Sequence, residues 1–282
     1  MYDQASELRK LVLQSMRENT AMFGPPPRLI AFTAGIAGAG ASTLAVNVSI
    51  ALAEPGSRVV VVDADPHHAD IAKLCGLNVP STSGDVTGAR RDIHEVMLRG
   101  PGGIQIVPSL WGSACGGDPS DFGQERLFRQ FKSLGRHADI VVLDIGTGDT
   151  EFLRRSCRLA DDVVLVTTAE PESIMDSYAC IKMVVADYEP ICCRLVVNQC
   201  SDQRLAEDVF ARVEQSCRRF LNQQLDFLGH VPCDDQVRVA SKRARPFLLD
   251  QHDQPAALAV QRVAMLLSGR EGKAQRSLPA AA

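Results

Sequence analysis

Two segments of this chain run without a polar residue between charged ends: Arg58-Val59-Val60-Val61-Val62-Asp63 and Asp139-Ile140-Val141-Val142-Leu143-Asp144. A strand with one wet face alternates apolar and polar residues, so runs without that alternation belong to strands covered on both faces, as in a parallel sheet. Five more short runs, 28–33, 104–108, 162–168, 191–198 and 226–230, also read as strands. Between them lie helical patterns near 43–54, 121–135, 149–159, 172–187, 202–222, 233–243 and 254–267. This alternation predicts an α/β domain: a doubly wound, mostly parallel sheet with helices on both faces.

Composition narrows what such a domain does. With 282 residues the chain is long enough for one large domain or two small ones, and needs no staples. Its 30 basic and 34 acidic residues give a net charge of −4, which argues against a dedicated nucleic-acid binder. Nine cysteines include no C-x-x-C pair, so they read as reduced and mostly buried in a cytoplasmic protein. No run is long and apolar enough to span a membrane. The opening Met1-Tyr2-Asp3-Gln4 is read as the start of a helix rather than a signal peptide. Four parts are expected: a helix over 1–18, a Pro-rich linker over 19–27, the main domain over 28–268 and a flexible tail over 269–282.

The loop after the first strand runs Thr33-Ala34-Gly35-Ile36-Ala37-Gly38-Ala39-Gly40-Ala41-Ser42-Thr43. Small residues there let successive N–H groups point inward as an anion nest at a helix N-terminus. Gly35, Gly38, Gly40, Ala41, Ser42 and Thr43 are therefore the candidate phosphate-binding residues, with Ser42 placed to ligate Mg²⁺. A Gly/Ala turn that serves only close helix–sheet packing is the competing reading. Two more strand ends carry acids, Asp63-Ala64-Asp65 and Asp144-Ile145-Gly146. Ligands of open α/β sheets bind outside the carboxyl ends of the strands, so three such ends together favour a phosphate and Mg²⁺ site.

On these residues the chain resembles the MinD/ParA group of deviant Walker A ATPases, a P-loop NTPase-like fold, and most closely the FlhG regulators of flagellar number and placement. The matching words include Val61-Val62-Asp63-Ala64-Asp65, Leu143-Asp144-Ile145-Gly146-Thr147-Gly148, Val166-Thr167-Thr168-Ala169-Glu170-Pro171 and Phe227-Leu228-Gly229-His230-Val231-Pro232. At the front, Asp3-Gln4-Ala5-Ser6-Glu7-Leu8-Arg9 is similar to the FlhG N-terminal D-Q-A-x-x-L-R helix. The resemblance implies that Asp3, Gln4, Leu8 and Arg9 engage an FlhF-like, SRP-type GTPase. An amphipathic helix docked on its own domain is the competing reading. The resemblance also implies ATP and Mg²⁺ as cofactors, Asp65 and Asp144 as catalytic acids, Ser42 and Asp63 at the metal, and Asn198 at the base.

The chain departs from the family in the loop itself. Laid on the family pattern K-G-G-x-G-K-[ST], the two lysines fall on Ile36 and Ala41, and one glycine on Ala37. Each lost charge-assisted phosphate contact is worth roughly 1.5–3 kcal/mol, so losing both weakens binding by about 10²–10⁴-fold. Arg154, Arg155 and Arg158 are candidate replacement cations, and solvated helix arginines otherwise. His67 and His68 beside Asp63 and Asp65 read as a partly exposed switch loop ahead of a metal cluster.

The resulting expectation is a regulator with weak ATP and Mg²⁺ binding and lost hydrolysis. It would work through FlhF-like and flagellar basal-body or regulatory proteins, with no specific nucleic acid and no membrane anchor of its own. A homodimer is left open. An active ATPase with a lysine-free site is the alternative. A ParA-like DNA binder, using the basic cluster Arg238, Lys242, Arg243 and Arg245, is disfavoured by charge.

Overall fold

A computed structural model of the chain describes residues 25–78, 92–109, 121–148, 150–185, 191–250 and 252–269. The expected helix over 1–18, most of the linker over 19–27 and the tail beyond Gly269 lie outside the described residues. Eight strands form one sheet: β1 Arg28–Ala34, β2 Val59–Asp63, β3 Leu98–Arg99, β4 Gln105–Val107, β5 Ile140–Asp144, β6 Asp162–Thr167, β7 Cys193–Val197 and β8 Leu225–His230. Their order is β3-β4-β2-β5-β1-β6-β7-β8. All pairs are parallel except β3 with β4 at the edge.

The uninterrupted apolar runs are explained by two separate cores. Val60 and Val62 of β2 join one, while Val59 and Val61 join the other. On the first face pack α3 Asp121–Ser133, α4 Glu151–Leu159, α5 Pro171–Val185 and α6 Gln203–Leu221. On the second lie α1 Ala41–Ala53, α2 Ile71–Leu74, α7 Asp235–Lys242, α8 Phe247–Asp250 and α9 Pro255–Leu267. All four β2 valines are at most 2% exposed. Each contributes roughly 1.5–3 kcal/mol through burial before chain entropy is counted. Helix α1 is buried on nearly every side because it sits between the sheet and α9.

Buried polar groups fix the frame. Asp162, only 3% exposed, pairs with Arg28 and, at 2.8 Å, with Arg194. Arg28 also donates to the Leu267 carbonyl at the end of α9. Gln223 is buried and exchanges hydrogen bonds of 3.0 and 2.8 Å with the backbone of Ile191, just ahead of β7. No helix among the described residues is long and apolar enough to cross a membrane.

The seven strands and the seven helices expected within 28–268 all form. Among the described residues, β3, α2, α8 and the 3₁₀ turns Ile93–Glu95 and Pro101–Gly103 fall outside the elements read from the sequence. The β7–β8 register shifts at Leu195/Val196, a bulge that Gly229 (φ 103°) accommodates.

Candidate functional site: a cleft at the carboxyl ends of the strands

The chain enters at β1, moves outward to β2 and β4, and returns to insert β5 between β2 and β1. That reversal brings the carboxyl ends of β1, β2 and β5 together, with Phe32 and Asp63 each in register with Asp144. Outside them opens a cleft of about 920 Å³. Its walls come from the loop 36–43, from Asp65 to Leu74 after β2, from Gly146-Thr147 after β5, from Asn198-Gln199 after β7, and from α7. This is where doubly wound folds bind ligands.

The loop is shaped by close contacts at Gly35 and Gly40 that leave no room for a side chain. A Cβ on Gly35 would lie 2.3 Å from the Asp176 backbone in α5. Gly40 has φ 96° and ψ 21°, and a Cβ there would meet the Asn198 amide at 2.3 Å. Asn198 donates to the Ala39 carbonyl (2.7 Å) and Gln199 to the Gly38 carbonyl (3.1 Å), so the end of β7 clamps the back of the loop. Thr33 donates to the Gly146 carbonyl (2.7 Å), tying the loop's base to the turn after β5. Helix α1 then starts at Ala41 with no side-chain cap and no acid in its first turn. Uncapped first-turn N–H groups favour an anion.

The acids sit deeper. Asp144 is 1% exposed, accepts from the Ser42 hydroxyl and the Gly146 N–H, and leaves Oδ1 without a partner. Burial pushes its carboxyl up to about 7; the Ser42 bond opposes this and the Asp65 charge adds to it. Asp63 is fully buried. Burial, then the charge of Asp144, raises its carboxyl well above the usual carboxylate range. Asp63 Oδ2 accepts from the Ile71 N–H (3.1 Å), which starts α2.

Asp65 lines the cleft and accepts from the N–H groups of His67 (2.7 Å) and His68 (3.1 Å), making a tight turn.

Several sequence readings are adjusted by this geometry. Ser42, read with Asp63 as the metal pair, lies against Asp144 instead, while Asp63 accepts from the Ile71 N–H at the start of α2 and does not line the cleft. Asn198, expected at a base, lines the cleft and donates one amide hydrogen to the Ala39 carbonyl. Arg154 pairs with Glu151 (2.9 Å), Arg155 lies 5.0 Å over the Phe128 ring, and Arg158 donates to the Val184 carbonyl. None of the three lines the cleft, because α4 packs on the opposite face. The fixed cations among the described lining residues are instead Lys73 and Arg238. Lys73 carried no motif signal, and Arg238 read only as part of a basic cluster.

An uncapped helix start, a glycine-shaped loop and buried acids at adjacent strand ends define a nucleotide-binding domain of the P-loop type. The family model of the CobQ/CobB/MinD/ParA nucleotide binding domain matches residues 30–247, and the chain belongs to that family. It is 33% identical over 239 residues to the antiactivator FleN of Pseudomonas aeruginosa, with 85% of each chain covered. It is 28% identical over 158 residues to the flagellum site-determining protein YlxH of Helicobacter pylori, covering 55% of this chain and 53% of that one. The septum site-determining protein MinD of Pyrococcus horikoshii, solved with Mg-ADP, shares the fold: TM-score 0.70 and 20% identity over 88% of this chain and 98% of that one.

The residues present suit a magnesium-bearing phosphate in part. Asp144 Oδ1 is an unsatisfied buried oxygen beside the Ser42 hydroxyl, an oxygen pair of the kind Mg²⁺ takes. The loop supplies backbone N–H groups but no cation of its own, since Ile36 and Ala41 stand at the lysine positions.

Proposed function

We propose that this chain is an FlhG-type regulator of flagellar number and placement that works through protein contacts and does not hydrolyse ATP. The observation that carries the second half is the loop: α1 begins at Ala41, its N-terminus is intact, and the loop holds no cation. Backbone N–H groups can hold a ground-state phosphate. Stabilising the charge that develops during transfer calls for a cation on the loop itself, and the loop has none. Nucleotide is therefore a weakly held ligand rather than a substrate.

The partner half is supported by the flagellar names of the relatives and by the N-terminal D-Q-A-x-x-L-R match. An FlhF-type GTPase engages Asp3, Gln4, Leu8 and Arg9, and the domain engages a regulatory or basal-body protein. The antiactivator name of the Pseudomonas relative supports an activator as one such partner. The protein is cytoplasmic and reaches the flagellated pole through these contacts.

Two measurements test the reading. Purified protein should release no phosphate from Mg·ATP above background. A peptide of residues 1–20 should bind an FlhF-type GTPase and raise its turnover, and failure to do both would remove the partner assignment. The retained Ser42–Asp144 pair and the placement of Asp65 favour a second reading, an ATPase with a lysine-free site. Turnover abolished by Asp65→Ala would establish it.

A further inference from the structure

We propose that Lys73 and Arg238 supply the phosphate-binding charge that the loop lacks, so that a nucleoside polyphosphate with its divalent cation is held between α2 and α7. This rests on the nucleotide-binding reading of the cleft. The two side chains line the same cavity from different segments, one following β2 and the other following β8. Those segments meet: a Cβ on Gly76, at the end of α2, would lie 2.8 Å from the Ala244 carbonyl in the turn after α7. The cations therefore belong to two walls that converge.

Both side chains are poised to move. Lys73 pairs with Asp70 on its own segment at 3.1 Å, and Arg238 pairs with Asp235 on its own helix. Their side chains are 75% and 70% exposed. Exposed pairs of this spacing hold weakly, so either cation can leave its carboxylate for a phosphate, a more highly charged acceptor.

The charge pattern of the walls also selects the ligand. Asp65, Asp70 and Asp234 line the cleft against the two cations, with Asp144 behind them. Three carboxylates against two cations disfavour a bare polyanion. With a divalent cation facing Asp144 and Ser42, the phosphates are left for the loop N–H groups, Lys73 and Arg238. Such a ligand bridges α2 and α7 and pins the two walls to one another.

The test is calorimetric titration of full-length protein with Mg·ADP and, separately, with magnesium tripolyphosphate. Wild type is compared with Lys73→Ala, Arg238→Ala, the double variant, and Lys242→Ala, which removes the same charge from α7 outside the cleft. Each cleft substitution should weaken Mg·ADP binding about fivefold to tenfold, and the double about 30-fold or more, with a shallower salt dependence. Lys242→Ala should bind as wild type does. Amide exchange over 70–78 and 235–245 should slow on Mg·ADP addition in wild type and not in the double variant. Equal affinity across all variants would overturn the proposal while leaving the nucleotide reading intact. An absence of heat in wild type with either ligand would overturn both. Tripolyphosphate binding as tight as Mg·ADP would keep the two cations and remove the nucleoside from the ligand.

Discussion

Replacing Asp144 by Asn should stabilise the protein above neutral pH and leave it almost unchanged below about pH 4. Burial raises the Asp144 carboxyl from 3.8 to about 7 in the folded state. For a carboxyl raised in this way, its full share of stability is present below about pH 4. That share is lost as pH climbs toward 7, because the unfolded chain ionises first. At about 1.4 kcal/mol for each of about three pH units, the loss reaches about 4 kcal/mol at pH 8 as an upper bound. Local relaxation reduces it to about 2–4 kcal/mol.

Asparagine keeps the shape and the acceptor for Ser42 but cannot ionise, so the variant escapes this loss. Urea unfolding from pH 4 to pH 8, read by circular dichroism, gives both stability curves. The gap between variant and wild type should open as pH rises from about 4 to 7 and close below about pH 4. Millimolar MgCl₂ at pH 8 should narrow it by stabilising wild type. A gap independent of pH, or a variant less stable than wild type at pH 8, would refute the account of Asp144 as a carboxyl strained by burial.

Three further outcomes follow from the geometry. Gly40→Ala sets a Cβ against the Asn198 amide at a positive φ, so it should destabilise the fold by about 1–3 kcal/mol and weaken Mg·ADP binding at least tenfold; chemical denaturation and calorimetry check both. Asp162→Ala strips Arg28 and Arg194 of their shared buried carboxylate and should cost about 3 kcal/mol, seen as a lower urea midpoint. Ala41→Lys restores one cation where the cleft has room, and should tighten Mg·ADP at least tenfold by the strength of one charge-assisted contact; an unchanged isotherm would mean that the loop does not contact phosphate.

What the sequence made legible and what it hid divide along physical lines. Strands buried on both faces announce themselves without any partner, as β2 and β5 do. The amphipathic helices are equally plain, since their pattern repeats over several turns. Segments of two to four residues such as β3, α2 and α8 have no period to detect, and each exists because a neighbour holds it. Asp63, for example, caps the start of α2 from eight residues away.

The site divides similarly. The loop and the acids at the strand ends were visible because each lies next to the strand that places it. The partner of Ser42 was not, since β2 and β5 end side by side and only the packed structure decides that Asp144 faces the hydroxyl. Arg154, Arg155 and Arg158 follow the Asp144 turn in sequence, yet the α4 helix carries them to the far face. Lys73 and Arg238 are 165 positions apart and share a cavity. Nothing in either local pattern points at the other.

The hydrogen bond from Arg28 to the Leu267 carbonyl bears on how this domain could be rewired. The first strand begins, and the last helix finishes, within one arginine's reach, on the rim away from the cleft. A short bridge could join those points, and new ends could be opened in the exposed turn Glu54-Pro55-Gly56 between α1 and β2. Such a circular permutant would keep every strand pairing and both cleft walls. It would present whatever is grafted onto 28 and 267 as a closed loop on one side of the molecule, a handle for immobilising the protein with its binding face turned outward.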